Sequence, residues 1–218
     1  MLTRRPDRLW HLVTAVVAGF AVLFQLWLVV DGAATLLPES QPPLVTRLVR
    51  FVSYFTILSN ILVCVVAAGL VRGAPDTRLW RVLRLDAVLA ITVTGVVHWF
   101  LLRPLLDLHG ASYLADKLLH LVVPVLAVVG WLAVGPRRQF GRAEVLPALV
   151  FPVGWLAWTL LHGALSSWYP YPFVDVDEHG YVAVALNCLG VAVLFVVLAA
   201  GAVWLDPRLR GRRARRRG

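Results

Sequence analysis

The chain has 218 residues, of which 60% are hydrophobic and 15% charged, and its mean hydropathy is +0.77. Soluble domains carry about 25% charged residues, so this composition excludes an ordinary soluble protein. The net charge of +9 reflects arginines placed between apolar stretches, which is a membrane-topology signal and gives no reason to expect nucleic acid as a partner. We therefore predict an all-α, polytopic integral membrane protein.

Six apolar segments meet the length of about 20 residues that a helix needs to cross a bilayer. They cover residues 9–30, 48–71, 83–102, 117–134, 145–166 and 181–205, and the fourth could begin as early as Ser112. The first follows several arginines, as a signal peptide would, but it is too long for the apolar part of one. We predict a retained first helix, one six-helix domain over residues 1–207 and a basic tail over residues 208–218.

The charges alternate from one connection to the next. Arginines gather before the first segment, after the second and fourth, and after the sixth, where seven fall within residues 208–217. The other connections collect acids: Asp31, Glu39, Asp107, Asp116, Asp175, Asp177 and Glu178. Cytoplasmic loops are enriched in Lys and Arg, so we predict a multi-pass protein of the cell membrane with both termini cytoplasmic. The tail is expected to lie on anionic headgroups.

The second segment carries four polar side chains: Ser53, Thr56, Ser59 and Asn60. If the segment is one helix, Ser53, Thr56 and Asn60 share a face and Ser59 lies at its edge. Such a stripe must face protein or a water-filled cavity, since lipid cannot satisfy it. With 1.5 Å per residue, Thr56 is expected about 12 Å below a helix start near Leu48.

Histidines occur toward the expected outer ends of the third, fourth and fifth segments: His98, His120 and His162. Asp116 lies four residues before His120 and therefore shares its helix face. Pro124 lies four residues after His120 and withholds the amide that would bond the His120 carbonyl. We predict that these histidines and Thr56 surround one outward-opening polar cavity.

Three motifs resemble a known family. They are Tyr-Phe-Thr-Ile-Leu-Ser-Asn at residues 54–60, Asp-Lys-Leu-Leu-His at residues 116–120 with Pro124, and Trp-Tyr-Pro-Tyr-Pro-Phe-Val-Asp at residues 168–175. They are similar to those of bacterial six-helix membrane proteins of unassigned function, which look related to the androgen-induced-gene family of multipass threonine hydrolases. Members of that family cleave fatty acid esters of hydroxy fatty acids with an intramembrane threonine and histidine. The resemblance places the nucleophile on Thr56 and the histidine on His120, and it leaves the substrate open.

The chemistry of these residue types agrees with that resemblance. A threonine hydroxyl is a weak nucleophile unless a neighbouring base takes its proton, and neutral His120 could be that base. Asp116 could orient the ring, and Asn60 or Ser59 could donate to the developing oxyanion. Supporting positions are expected at His98, His162 and Asp175. This hydrolase hypothesis requires membrane lipids and a lipid ester as partners, and no metal or cofactor.

Two other functions stay open. His98, His120 and His162 could form a zinc site of three histidines or bind haem, although each comes from a different segment and the chain has no HExxH pair. A non-catalytic lipid-binding or transport protein is the other alternative, although transporters usually show internal repeats. The structural alternative for Thr56 is a hydrogen bond to the Val52 carbonyl, and for the histidines it is bonding between helices.

Overall fold

The computed structural model describes residues 5–32 and 42–209, which fold into helices with no strand among them. The α-helices are α1 Arg5–Asp31, α2 Leu44–Ser53, α3 Phe55–Arg72, α4 Arg78–Val97, α5 Gly110–Lys117, α6 Val123–Ala133, α7 Arg142–Ala148, α8 Val150–Ser166 and α9 Val176–Leu205. The tail beyond residue 209 and residues 33–41, with Glu39, lie outside the described part of the chain.

Within the described residues, six helical stretches are long and apolar enough to cross a membrane. We number them as spans 1 to 6: Pro6–Asp31, Phe55–Arg72, Arg78–Leu105, Gly110–Ala133, Arg142–Ser166 and Val176–Arg208. The prediction of an all-helical protein with six membrane-spanning helices is confirmed to that extent. The orientation of the termini and the identity of the membrane stay predictions.

Spans 2 and 3 form the centre of the bundle. About half of each lies inside the protein, whereas spans 5 and 6 are only 11% and 17% buried. Helix α1 packs mainly along α3, and α3 packs along α4, which in turn contacts α6, α7 and α9. Polar side chains on spans 2 and 3 are therefore surrounded by protein, as a site away from lipid requires.

The expectation of one continuous second helix is wrong, because the helix is interrupted at Tyr54. Tyr54 has extended backbone angles (φ −72°, ψ 126°) and separates α2 from α3. Two tryptophans of α8 satisfy the polar groups at the end of α2: Trp155 donates to the Ser53 carbonyl oxygen at 2.8 Å and Trp158 to Ser53 Oγ at 3.0 Å. Ser53 therefore lies in a different helix from Thr56 and Asn60, and the three do not form one continuous polar face. Thr56 is the second residue of span 2 and does not lie deep in a longer helix.

Two π-helical segments interrupt spans 3 and 4, and each contains a histidine. They cover His98–Leu102 and Leu118–Val122, and a proline follows each one two residues later, Pro104 and Pro124. In the π register the amide of residue i+5 bonds the carbonyl of residue i, so Pro124 leaves the Leu119 carbonyl without a backbone donor. The sequence predicted an irregular helix at Pro124, but assigned the freed carbonyl to His120 on α-helical spacing.

Candidate functional site

Thr56, His120 and Asp116 form a continuous chain of polar contacts near one end of the bundle. Thr56 Oγ1 lies 3.2 Å from His120 Nε2. On the other side of the ring, His120 Nδ1 lies 3.0 Å from Asp116 Oδ1 and 3.0 Å from the Asp116 carbonyl oxygen. Thr56 and Asp116 are buried, while 15% of the His120 side chain remains exposed. The break at Tyr54 and the π segment in span 4 place these groups at the same level of the bundle.

The surroundings of Nδ1 determine where the His120 proton lies. The carbonyl and carboxylate oxygens of Asp116 are both acceptors, so Nδ1 must carry the hydrogen of the neutral ring. Nε2 then presents its lone pair to Thr56 Oγ1. The Thr56 hydroxyl therefore donates to His120, which is the arrangement in which a base can remove its proton. The alternative in which Thr56 bonds the Val52 carbonyl is not what the structure shows.

Tyr171 is the fourth member of the site. Its hydroxyl lies 3.1 Å from Thr56 Oγ1 and accepts the Thr56 backbone N–H at 3.1 Å. Because Thr56 Oγ1 gives its hydrogen to His120, the Tyr171 O–H donates to Thr56 Oγ1. Tyr171 lies in the connection between spans 5 and 6, and burial raises the pKa of its hydroxyl, so it remains a donor at neutral pH.

Ser59 and Asn60 hold the backbone around Thr56. Asn60 Nδ2 donates to the Thr56 carbonyl at 2.8 Å and to the Leu119 carbonyl, freed by Pro124, at 3.2 Å. Ser59 Oγ donates to the Thr56 carbonyl at 3.0 Å and contacts Thr94 Oγ1 at 2.9 Å. These donors are committed to other groups, so the structure does not favour the oxyanion role that the sequence suggested for them. They join span 2 to spans 3 and 4 at the depth of Thr56.

His98 fixes the plane of the His120 ring. The two rings stack with centroids 3.8 Å apart and planes 10° from parallel. His98 Nε2 lies 3.3 Å from Asp116 Oδ1, the oxygen that also faces His120, while Lys117 Nζ binds Asp116 Oδ2 at 3.0 Å. Asp116 is therefore surrounded by three nitrogen-bearing side chains.

Two residues predicted for the site lie elsewhere. The described contacts of His162 are with Trp158, Trp168 and Ser166, and none of them is with the other histidines. The bundle therefore does not bring together the three-histidine zinc site considered from the sequence. Asp175 caps the start of α9, where its Oδ1 accepts the amides of Asp177 and Glu178 at 3.0 and 3.1 Å.

Tyr171 is the residue that the sequence reasoning missed. The motif at residues 168–175 contributes to the family resemblance, but the sequence analysis selects Asp175 from it and not Tyr171. One signal did exist. Tyr171 lies between Pro170 and Pro172, which restrict the backbone, and a restrained connection can hold a polar side chain against the helix ends. Which of the tyrosines pointed inward could not be known from composition.

Comparison of the chain with known protein families, with curated proteins and with solved structures gives no match in any of the three.

Proposed function

We propose that the protein is an intramembrane hydrolase of fatty-acyl esters, with Thr56 as nucleophile, His120 as base and Asp116 orienting the ring. The hydrogen-bond chain from Thr56 Oγ1 through both His120 nitrogens to Asp116 carries the proposal. Its order of nucleophile, base and orienting acid is that of hydrolase triads, which are recognised by geometry and roles. Thr56 and Asp116 are buried, and all but 15% of the His120 side chain is buried with them.

The proposed reaction has two balanced halves. Thr56 Oγ1 attacks the ester carbonyl carbon while its proton passes to His120 Nε2, and His120 then gives that proton to the departing alcohol as the C–O bond breaks. Water next attacks the acyl-threonine, again losing a proton to His120, which returns it to Thr56 as the fatty acid leaves. Since 15% of the His120 side chain is exposed, the base is not sealed off from an attacking water.

The oxyanion donors are the Thr56 backbone N–H and the Tyr171 hydroxyl. Thr56 lies in the first turn of α3, where amides have no partner within the helix and the helix dipole favours negative charge. The Thr56 amide is occupied by Tyr171 Oη in the structure. A substrate oxyanion placed between them would replace the two contacts that Tyr171 Oη makes with Thr56 by two charge-assisted ones.

Tyr171→Phe is expected to lower kcat by about 10²-fold, the usual cost of one oxyanion donor. The enzyme should stay folded, because the ring packing of Tyr171 against Tyr54 and Phe173 is retained. Burial raises the pKa of Tyr171, so its hydroxyl should keep its hydrogen between about pH 8 and 10. We therefore expect no loss of wild-type activity from deprotonation of Tyr171 in that range. Steady-state kinetics of both proteins over that range test this. An unchanged kcat in Tyr171→Phe would contradict the role.

An apolar groove beside the site supports a lipid substrate. It has a volume of about 510 Å³, lies between spans 3 and 6, and is lined mainly by aliphatic and aromatic side chains. Phe173 lines the groove and stacks on Tyr171 with ring centroids 5.3 Å apart, so one aromatic ring lies between the groove and the site. Its walls from Val96 to Leu105 cover about 14 Å of helix length. An acyl chain placed there would bring its ester toward Thr56.

Gly190→Phe tests the groove, because Gly190 lines it and a Cβ added there would meet no atom within 4 Å. If the new ring displaces two methylenes of the acyl chain from the groove, about 1.6 kcal/mol of binding free energy is lost. We therefore expect kcat/KM for long-chain esters to fall about tenfold relative to short-chain esters. Gly201→Phe is the matched control, since Gly201 is equally open on α9 but outside the groove. Equal chain-length profiles for both variants would rule out acyl binding in the groove.

The function itself is tested by measuring fatty acid release from lipid esters by the purified protein in vesicles. Fatty acid esters of hydroxy fatty acids, monoacylglycerols and simple fatty-acyl esters form the panel. We expect turnover of at least one class by wild type and by His162→Ala, since His162 lies outside the cluster. Absence of any release above that of a Thr56→Ala control would reject the proposal.

A metal-dependent function is the second candidate, because one nitrogen each of His98 and His120 and one Asp116 oxygen lie within 4.8 Å of one another. Separations of 3.0 and 3.3 Å fit ligands about 2.0–2.1 Å from a tetrahedral zinc ion. In that function His120 Nδ1 would bind the ion and Nε2 would donate to Thr56, so His120 could not act as its base. The parallel stacking disfavours it, since lone pairs in parallel rings do not converge.

Elemental analysis of the purified protein separates the two candidates. The hydrolase proposal expects less than about 0.1 equivalent of zinc, iron or copper, and fatty acid release that persists after dialysis against a chelator. Stoichiometric metal that is lost in His98→Ala, together with activity restored by adding the metal, would establish the second candidate instead.

A further inference from the structure

A second buried polar cluster lies at the opposite end of the bundle from Thr56. It lines a cavity of about 60 Å³ between spans 1 to 4, under the connection that follows span 4. Its walls are mostly aliphatic, and its polar lining consists of His11, Thr14, Arg84 and Gln139. Arg84 and His11 each lie six residues into their helices, about 9 Å from the start, so they reach the same level.

Arg84 is buried, with 6% of its surface exposed, and no carboxylate is bonded to it among the described residues. One terminal nitrogen donates to Gln139 Oε1 and the other reaches the Ala74 carbonyl at 3.5 Å. Its Nε has no hydrogen-bond partner in the described part of the chain. Asp76 accepts a hydrogen bond from Gln139 and is paired with Arg81 at 3.1 Å, so its described contact with Arg84 is an indirect one through Gln139. A buried guanidinium with neutral acceptors alone is costly, and an anion would relieve that cost.

His11 places a second ring nitrogen on the same cavity, and this nitrogen donates in the tautomer that carries its hydrogen on Nε2. It is 5% exposed, and its Nε2 has no hydrogen-bond partner among the residues described. Asp206 is fully buried and fixes the connection after span 4 that lines one side of the cavity. It accepts the backbone N–H groups of Gln139 and Phe140 at 2.6 and 3.2 Å and the Trp131 indole N–H at 3.0 Å. This anchoring keeps Gln139 in place against Arg84.

We propose that this cavity binds the carboxylate group of a monocarboxylate, held by Arg84 Nε and His11 Nε2. A single carboxylate matches the one guanidinium: it accepts from Arg84 Nε and from His11 in the tautomer that carries its hydrogen on Nε2. The cavity of about 60 Å³ holds the carboxylate and the first carbons of the ligand against the aliphatic wall that includes Val63, Val66 and Ala127, and the rest of a longer chain lies outside it. A phosphate group would instead leave oxygens against aliphatic side chains, where they have no donor. The carboxylate belongs either to a short-chain acid from water or to a free fatty acid.

The test measures binding to the full-length purified protein, with butyrate by equilibrium dialysis and palmitate by native mass spectrometry. Wild type is expected to bind one equivalent of at least one of them. Ala127→Leu, which fills the cavity and leaves every charge in place, should weaken binding at least tenfold. Arg84→Met should do the same, and Arg78→Met is the control, since Arg78 is an exposed arginine at the same end.

Butyrate binding would identify a soluble acid, and palmitate binding alone would identify a fatty acid. Three results overturn the inference: no saturable binding of either acid by wild type, wild-type affinity in Ala127→Leu, or inorganic phosphate displacing butyrate at equal concentration. Ala127→Leu keeps the test decisive if Arg84→Met fails to fold. None of these readouts depends on ester hydrolysis, so they stand or fall separately from the function proposed for Thr56.

Discussion

Thr56→Ala is expected to lower kcat/KM for ester hydrolysis by at least about 10³-fold, because removing the nucleophile of a triad leaves only binding and oxyanion stabilisation. His120→Ala should cost about as much. The double variant should be no worse than either single variant, since residues that act as one unit are strongly non-additive. Thr56→Ser should keep partial activity because it retains the hydroxyl.

Thr92→Ala is the matched control for that series. Thr92 also lies in a membrane span, but its hydroxyl bonds the Val88 carbonyl of its own helix at 2.6 Å. We expect wild-type kinetics from this variant, and unaltered thermal stability within about 1 kcal/mol for all of them. Losses that simply add in the double variant would mean that Thr56 and His120 do not act on the same step.

Asp116→Asn should have the second largest effect, a fall of about 10²–10⁴-fold in kcat, by analogy with the tautomer change seen when a triad acid becomes an amide. The amide can turn its NH2 toward His120 Nδ1, and where this contact outweighs the Asp116 carbonyl oxygen, which favours a hydrogen on Nδ1, the ring proton moves to Nε2. Thr56 would then face a donor instead of a base. Kinetics with a short ester, in which the groove plays little part, isolate this effect.

Lys117→Met is the control for Asp116, because Lys117 touches the other carboxylate oxygen and is partly exposed. Its loss should change kcat by less than about tenfold, since partly exposed ion pairs contribute little. Full activity in Asp116→Asn would leave His120 acting without an orienting acid, and the triad would reduce to a pair.

The membrane class and part of the contents of the site could be predicted from sequence, but the place of Tyr171 and the assembly of the site could not. Six spans follow from hydropathy and length alone. Asp116 and His120 share a face because they are four residues apart, and that contact exists at 3.0 Å. Contacts between spans, such as Thr56 with His120, depend on helix rotation and depth, which a single sequence specifies poorly.

The interruption of the helix at Tyr54 explains why the sequence places Thr56 too far from the start of its membrane span. No proline or glycine occurs in residues 48–68, so none of the usual helix-ending residues marks the break. Tertiary contacts hold it instead, since Trp155 and Trp158 of α8 satisfy Ser53 at the end of α2. The stacking of His98 on His120 and the inward position of Tyr171 likewise depend on partners far away in the chain.

Labelling by a fluorophosphonate probe, followed by mass spectrometry of the labelled peptide, tests the central claim most directly. The adduct should form on Thr56 Oγ1 of the wild-type protein, and labelling should fall strongly in His120→Ala and Asp116→Asn while Thr92→Ala labels normally. An adduct on another residue, or equal labelling of wild type and Thr56→Ala, would show that Thr56 is not the nucleophile.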